Sequence, residues 1–165
     1  RWIAGKVWKS LADLLSGFNH IPLTDRASEL LAVVTASMGV LEPTTLGFGP
    51  VNAPAAFQCV VNEVFQEMIT ENPMMIFIDD VGLATGNWED LPKDFNPADG
   101  SVLAKEIWKK HLEALRRMFA RAVQTGFLFK LDKAKLCQLT ISILGMVAGK
   151  ESVSVDPKKV KALTN

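Results

Sequence analysis

The sequence predicts an α+β fold in which a mostly antiparallel sheet packs on two long helices. Two segments carry apolar residues at helical spacing, short apolar runs lie around them, and an acidic hairpin joins two of those runs. A length of 165 residues with 48% hydrophobic residues is typical of about one globular domain. We therefore expect a single domain over residues 1–165, with the acidic hairpin as its candidate site.

The acidic hairpin contains Phe77-Ile78-Asp79-Asp80 and lies between the apolar runs 74–76 and 81–84. Two unit charges of the same sign 4 Å apart repel each other by about 4 kcal/mol at an effective dielectric near 20. A divalent cation bound between the carboxylates would remove that repulsion. A pair of aspartates is also common in ordinary solvated turns, so the segments on either side must decide between the two interpretations.

The first strand is expected within residues 7–15, and Asp13 lies in its apolar part. A charge in such a setting needs a partner. Asp13 is therefore either a metal ligand at a strand end, or a helix N-cap or exposed polar residue. His20 has no second metal-type ligand at helical spacing, and we expect it to be structural or at the surface. Residues 24–45 are less regular, and the stretch 28–36 is compatible with strand or helix.

The first long helix is predicted to run from Pro54 to about Thr70, with Asn52 as its N-cap. Its apolar stripe is a core face made of Phe57, Val60, Val61, Val64, Phe65 and Met68. Residues 86–101 predict an irregular surface loop. The second long helix begins near Val102, has one apolar and one basic side, and ends at Gly126.

The C-terminal part predicts a short strand at 127–131, followed by a polar turn that contains Lys133 and Lys135. A further strand is predicted at 140–147, interrupted by Gly145. The last residues, 153–165, predict a turn and a short basic helix.

The net charge is zero, but its distribution is uneven. Residues 1–104 hold 5 Lys and Arg against 13 Asp and Glu, and residues 105–165 hold 13 against 5. This asymmetry suits a protein that binds metals in one half and phosphates in the other, but charge alone favours the simpler interpretation of solvated helix faces. Cys59 and Cys137 have neither zinc-site nor disulfide-framework spacing, which favours a reducing intracellular setting.

No apolar run reaches the roughly 18 residues that a membrane span needs, and no signal-peptide pattern is present, so membrane insertion is not expected. The chain begins at Arg1 rather than Met. We therefore expect it to be part of something longer.

Taken in order, several segments resemble the palm of reverse transcriptases, in particular those of gypsy-type LTR retrotransposons and related viruses. Residues 13–23 resemble the family's first catalytic block, an Asp followed by Gly-aromatic and Ile-Pro-Leu. Residues 48–58 resemble its Phe-Gly-Leu-x-Asn-Ala-Pro-Ala-x-Phe-Gln block, and residues 77–80 stand where the family has Tyr-x-Asp-Asp. The segments around His111 and at 126–145 resemble those that follow, so that the similarity covers about residues 7–163.

The resemblance implies a palm-like fold and an RNA-directed DNA polymerase that works by two-metal nucleotidyl transfer. Asp13, Asp79 and Asp80 would hold two Mg²⁺ ions, and Lys133 or Lys135 would donate a proton on the phosphate side. An RNA/DNA template–primer and a dNTP would be the partners. The substrate contacts implied are a sugar gate, two residues beside the nucleotide, the residue at the Tyr position of the hairpin, and a primer grip: Phe18, Phe48, Gly49, Phe77, Leu144, Gly145 and Met146.

The chain departs from the family pattern at Phe77, where the family has Tyr, and at Gly47, where it usually has Pro. The loop 86–101 is also longer than usual. The resemblance places the fingers before Arg1 and the thumb, connection and RNase H after Asn165. An alternative function is a catalytically inactive, repurposed retroelement palm that binds protein partners as a structural subunit of a larger assembly, with which a neutral net charge agrees.

Overall fold

The fold is α+β, as predicted, in a computed structural model that describes residues 3–71, 74–150 and 152–155. The strands are β1 (Lys6–Leu14), β2 (Val33–Thr35), β3 (Gly39–Leu41), β4 (Met74–Phe77), β5 (Asp80–Asn87), β6 (Phe129–Gln138), β7 (Ile141–Ile143), β8 (Met146–Ala148) and β9 (Val153–Val155). The helices are α1 (Asp25–Leu30), α2 (Ala53–Val64), α3 (Gln66–Thr70) and α4 (Val102–Thr125). Short 3₁₀ turns lie at Gly17–His20 and Trp88–Asp90.

The main sheet has four strands in the order β4-β5-β1-β6, and each neighbouring pair is antiparallel. Two smaller antiparallel sheets consist of β2-β3 and β7-β8-β9. The central strand β1 is far in sequence from both of its neighbours. Chemical groups that are distant along the chain therefore meet across β1.

The strands of the main sheet present alternate residues to two cores. On one face, Leu14, Val81 and Leu83 pack with side chains of α2, α3 and α4 in the main core. On the other face, Leu11 and Ala84 pack against a smaller core that includes Ile141 and Ile143 of β7. Because side chains alternate along a strand, Asp13 projects from the same face as Leu11. Asp13 itself is half-buried at this end of β1.

The predicted first long helix is two helices, because the backbone of Phe65 (φ −106°, ψ 17°) breaks it between α2 and α3. Pro54 lies in the first turn as predicted. Asn52 occupies the N-cap position as predicted, but its side chain does not cap the helix. Its backbone is itself helical (φ −85°, ψ −8°), and its side chain makes no capping hydrogen bond, because capping requires an extended backbone at that position.

The second long helix begins and ends as predicted. The Ser101 side chain accepts a hydrogen bond from the Ala104 backbone N–H at 3.1 Å, which caps the start of α4. Gly126 ends the helix in the left-handed conformation, at φ 78°. In the part of the chain that the structure describes, no helix is both long and apolar enough to cross a bilayer.

The polar turn predicted at Lys133 and Lys135 is wrong, because both residues lie inside the ten-residue strand β6. β6 is an edge strand, and exposed lysines on an edge discourage pairing with other chains, so a polar sequence can still be a strand. The single strand predicted at 140–147 is the hairpin of β7 and β8. Its turn residues Leu144 (φ 49°) and Gly145 (φ 77°) both have positive φ, as tight two-residue hairpins require.

The structure assigns secondary structure to part of the segments whose sequence was irregular. Residues 28–36, which were compatible with strand or helix, contain the end of α1 and the strand β2. β5 extends into the predicted loop as far as Asn87, and irregular backbone follows the 3₁₀ turn. Residues 153–155 form β9, and the predicted turn at Asp156-Pro157 and the basic helix lie outside the described residues.

One buried polar network ties α4 to the sheet. The imidazole of His111 is fully buried, with Nε2 2.8 Å from the Ser10 Oγ and Nδ1 2.8 Å from the Thr85 Oγ1. The Ser10 hydroxyl also accepts a hydrogen bond from the Cys137 backbone N–H at 2.9 Å. Strands β1, β5 and β6 are thereby joined to one helical side chain. Burial lowers the pKa of His111 to about 4, so the ring is neutral in the folded protein.

We expect His111→Gln to change how the free energy of unfolding depends on pH. An unfolded chain protonates His111 below about pH 6.5, whereas the folded chain does so only near pH 4. The wild type therefore loses up to about 3 kcal/mol of stability as the pH falls through this window. The variant lacks this loss, so its deficit relative to the wild type should shrink between pH 7 and pH 4.5, as measured by urea unfolding.

Thr85→Val is the matched control, because it removes one hydrogen bond of the network and leaves the histidine in place. Its deficit should change less with pH than that of His111→Gln. Equal pH dependence of the wild type and His111→Gln would contradict the prediction.

Candidate active site

The acidic hairpin is formed by β4 and β5, joined by the two residues Ile78 and Asp79. Phe77 pairs with Asp80 at the end of the hairpin, so Asp80 is the first residue of β5. Ile78 has φ 55°, a left-handed conformation that is strained for a β-branched residue. Such strain persists only where the surroundings enforce it.

Gln58 of α2 supplies that constraint. Its Oε1 accepts a hydrogen bond from the Ile78 backbone N–H at 2.7 Å, and its Nε2 donates one to the Ile76 carbonyl at 3.2 Å. The same Nε2 donates to the Asn62 Oδ1 at 2.8 Å, which orients the amide along the helix. The side chain thus bridges the last residues of β4 and the turn. The helix fixes the position of the hairpin that carries the two aspartates.

The strand register brings Asp13 and Asp80 directly opposite each other. They pair across β1 and β5, and the next residue, Leu14, donates its backbone N–H to the Asp79 carbonyl at 2.8 Å. Opposed residues of antiparallel strands have Cβ atoms about 5 Å apart, so the two carboxylates share one small region at the open end of the sheet. Their closeness follows from backbone pairing and requires no unusual side-chain conformation.

The environment of Asp80 raises its pKa to about 6. Partial burial is the largest cause, followed by a hydrogen bond in which protonated Asp80 donates to the Asp13 carboxylate, and by the negative charges of Asp13 and Asp79. Lys130 opposes this shift with its positive charge. Two carboxylates that resist simultaneous ionisation have the donor chemistry that a divalent cation stabilises.

Beside the hairpin lies a cavity of about 430 Å³, which is within the size range of small-molecule sites. Three resemblance-derived site residues line it, namely Phe18, Phe48 and Asp79. The other lining residues come from β1, the turn after it, the hairpin and β6: Leu14, Ser16, Gly17, Asn19, Ile78 and Lys130. Aromatic walls, one carboxylate and one ammonium therefore surround the same space.

Phe18 is held in this cavity by other aromatic rings. Its ring stacks on Phe57 of α2 with centroids 4.7 Å apart and planes at 28°, and it contacts Phe48 at 5.1 Å. Gly17 permits this arrangement, because a Cβ there would lie 2.4 Å from Cζ of Phe57. Gly17 is therefore required because a side chain at this position would clash with Phe57. The stacking contact with Phe57 in turn fixes the position of the Phe18 ring.

The other predicted site residues lie outside the lining of this cavity. Gly49 is exposed with φ 120°, and Phe77 is half exposed on the edge strand β4. Lys133 and Lys135 are exposed on β6. The predicted primer-grip residues form the turn between β7 and β8, where Leu144 and Met146 are partly exposed.

Within residues 3–71, 74–150 and 152–155, no three Asp, Glu, His or Cys side chains are close enough together to hold a metal ion. Asp13 and Asp80 face each other across two strands, whereas Asp79 is exposed in the turn and lines the cavity. The carboxylates are thus arranged as an opposed pair with a third carboxylate beside it.

Three residues of the site had no role in the sequence-based hypothesis. Gln58 and Phe57 end the Phe-Gln block, and the helical period could assign Phe57 only to the core. Lys130 precedes the lysines that were predicted, and only the pairing of Asp13 with Lys130 reveals that it lies at the site.

Comparison with known sequences identifies the family of the chain. The sequence model of the family "Reverse transcriptase (RNA-dependent DNA polymerase)" matches residues 3–148. The Pol polyprotein of the transposon opus from Drosophila melanogaster is 26% identical over 152 residues, which are 92% of this chain and 13% of that protein. That of transposon 297 from the same organism is 23% identical, over 99% of this chain and 14% of that protein. The chain thus spans about one seventh of the length of these relatives.

Comparison with solved structures supports the fold. A foamy viral protease-reverse transcriptase in complex with an RNA/DNA hybrid superposes with a TM-score of 0.76, at 20% identity over 99% of this chain and 19% of that one. A second foamy viral structure, in complex with double-stranded DNA, gives 0.78 at 20% identity over 99% of this chain and 25% of that one. The architecture therefore matches the palm region of those enzymes. Because the family match extends over nearly the whole chain, this protein belongs to the reverse transcriptase family.

Proposed function

We propose that this chain is the catalytic palm of an RNA-directed DNA polymerase and that it transfers nucleotides to a primer 3′-hydroxyl. The observation that carries the proposal is the opposition of Asp13 and Asp80 beside an aromatic cavity that Asp79 also lines. Phosphoryl transfer needs negative charge to be gathered and neutralised at one place, and catalysis comes mostly from positioning and electrostatics. The opposed carboxylates beside the cavity support both the positioning and the electrostatic contribution.

The cofactors of the proposed reaction would be two Mg²⁺ ions, for which carboxylate oxygens are suitable ligands. Asp13, Asp79 and Asp80 would hold them, and the raised pKa of Asp80 supports the need for a cation between the carboxylates. When bound, such ions neutralise the charge that develops on the phosphate and lower the pKa of the attacking hydroxyl. The protein's part is to hold the carboxylates at fixed positions through the β1–β5 pairing and the Gln58 clamp.

The aromatic residues would select the sugar of the incoming nucleotide. Phe18 would lie beneath the ribose and exclude a 2′-hydroxyl by a steric clash. The stacking of Phe18 on Phe57 would prevent the Phe18 ring from moving aside. Phe48, which is 86% exposed, would become covered by the bound nucleotide, and Gly49 and Phe77 would lie at the edges of the site. A rigid gate is what sharp discrimination requires.

The substrates would be a dNTP and an RNA/DNA template–primer. The foamy viral neighbours were solved with an RNA/DNA hybrid and with double-stranded DNA, which supports nucleic-acid binding by this fold. The turn Leu144-Gly145-Met146 would contact the primer strand, and Lys133 or Lys135 would donate a proton to the leaving phosphate. Because the chain spans only part of its relatives, we propose that the complete activity belongs to a longer Pol polyprotein.

We expect Asp79→Asn to reduce primer extension by a polypeptide that carries this chain at least 100-fold. A carboxylate ligand contributes several kcal/mol of charge stabilisation in such sites, and each 1.4 kcal/mol is a factor of ten. Asp94→Asn is the control, since Asp94 is exposed in the surface loop. Extension at the wild-type rate by Asp79→Asn would refute the assignment. A correctly folded wild type that never extends primers would favour the structural-subunit function instead.

We expect Gln58→Ala to lower kcat about 10-fold or more and to raise the Mg²⁺ concentration at half-maximal activity. The variant removes the hydrogen bonds that hold the strained turn, and displacement of a reacting constellation by about 1 Å can cost up to a hundredfold in rate. Glu63→Ala, on the exposed side of α2, is the matched control. An unchanged Mg²⁺ dependence of Gln58→Ala would show that Gln58 serves folding alone.

A further inference from the structure

Three charged residues form a row across neighbouring strands at the open end of the main sheet. Asp80 of β5 pairs with Asp13 of β1, and Asp13 pairs on its other side with Lys130 of β6. Directly paired residues project from the same face of an antiparallel sheet, and neighbouring strands are about 4.8 Å apart. The row therefore places one positive charge a single strand spacing from the carboxylate pair.

Lys130 does not form an ion pair with those carboxylates. Among the described residues, no carboxylate oxygen lies within 4.0 Å of its ammonium group. Its side chain is half buried and lines the cavity, together with Phe18, Phe48 and Asp79. The positive charge thus borders the space that a ligand would fill.

The charge balance of the site favours an anionic ligand next to Lys130. Three carboxylates with two divalent ions leave a net charge of about +1, to which Lys130 adds another. The nucleotide is proposed to bind at the cavity that Phe18, Phe48 and Asp79 line, and Lys130 of β6 lines the same cavity. Lysine binds phosphate as a compact point charge, with charge-assisted hydrogen bonds.

We propose that Lys130 binds a phosphate group of the incoming nucleoside triphosphate. The inference rests on the proposed nucleotidyl transfer and adds a contact to it, because the family resemblance assigned no role to Lys130. Lys133 and Lys135 lie farther along β6, are exposed, and do not line the cavity. Lys130 is therefore the lysine of this strand that is best placed to meet the substrate at the carboxylate pair.

The test is a ³¹P NMR titration of Mg²⁺–tripolyphosphate with the 165-residue chain, which detects weak binding and requires no polymerisation. We expect Lys130→Met to raise the dissociation constant about 10-fold or more, the scale of one charge-assisted hydrogen bond. Lys130→Arg should recover most of the affinity, because it keeps the charge. Lys110→Met, on the exposed side of α4, is the control for a nonspecific loss of charge.

Several outcomes would overturn the proposal: no binding by the wild type, equal binding by Lys130→Met, or an equal loss in Lys110→Met. A further contrary result is tighter Mg²⁺ binding by Lys130→Met with unchanged affinity for tripolyphosphate, because Lys130 would then be only a counter-ion of the carboxylates. Failure of the proposed polymerase function has a different signature, since it is a wild type that binds tripolyphosphate normally and does not extend primers.

Discussion

The opposition of Asp13 and Asp80 across β1 and β5 is the constraint on which the site depends. Burial, together with the neighbouring charges of Asp13 and Asp79, raises the pKa of Asp80, and the strand pairing prevents the two residues from separating by a local movement. A shift of the register by one residue would turn Leu14, Val81 and the rest of the main core toward the wrong face. Hydrophobic burial throughout the sheet therefore holds two carboxylates together that would separate if they were free.

The helices contribute a second level of constraint. Gln58 and Phe57 are neighbours on α2, and they fix the strained hairpin and the aromatic gate respectively. On α4, His111 joins three strands through Ser10 and Thr85. A single helix thus positions both the acidic and the aromatic parts of the site, whereas the other helix keeps the strands beneath them in place. This division explains why the site is assembled from segments far apart in sequence.

Local sequence patterns correctly predicted the features that depend on interactions between residues close together in the chain. The acidic hairpin, the start of α4 after Ser101, its end at Gly126 and the turn proline of α2 all follow from residue spacing and capping chemistry. The ordered blocks also indicated the family. The patterns failed where pairing between distant segments determines the secondary structure. A polar stretch such as residues 130–135 becomes a strand only because it pairs with β1. For the same reason, the sequence did not reveal that Lys130 lies at the site. Nor did it reveal the hydrogen bond between Ser10 and His111, which are 101 residues apart.

The most direct test of this account is thermal unfolding of the chain at pH 7.5, with and without Mg²⁺, for the wild type and Asp80→Asn. At this pH Asp80 is ionised in the folded wild type although its pKa is raised to about 6, so we expect Asp80→Asn to be the more stable protein without metal. A tenfold excess of Mg²⁺ over its dissociation constant should raise the Tm of the wild type by about 3–6 °C and that of Asp80→Asn much less. A wild type that is indifferent to Mg²⁺, or a variant that responds equally, would contradict the claim that the opposed carboxylates form a metal site.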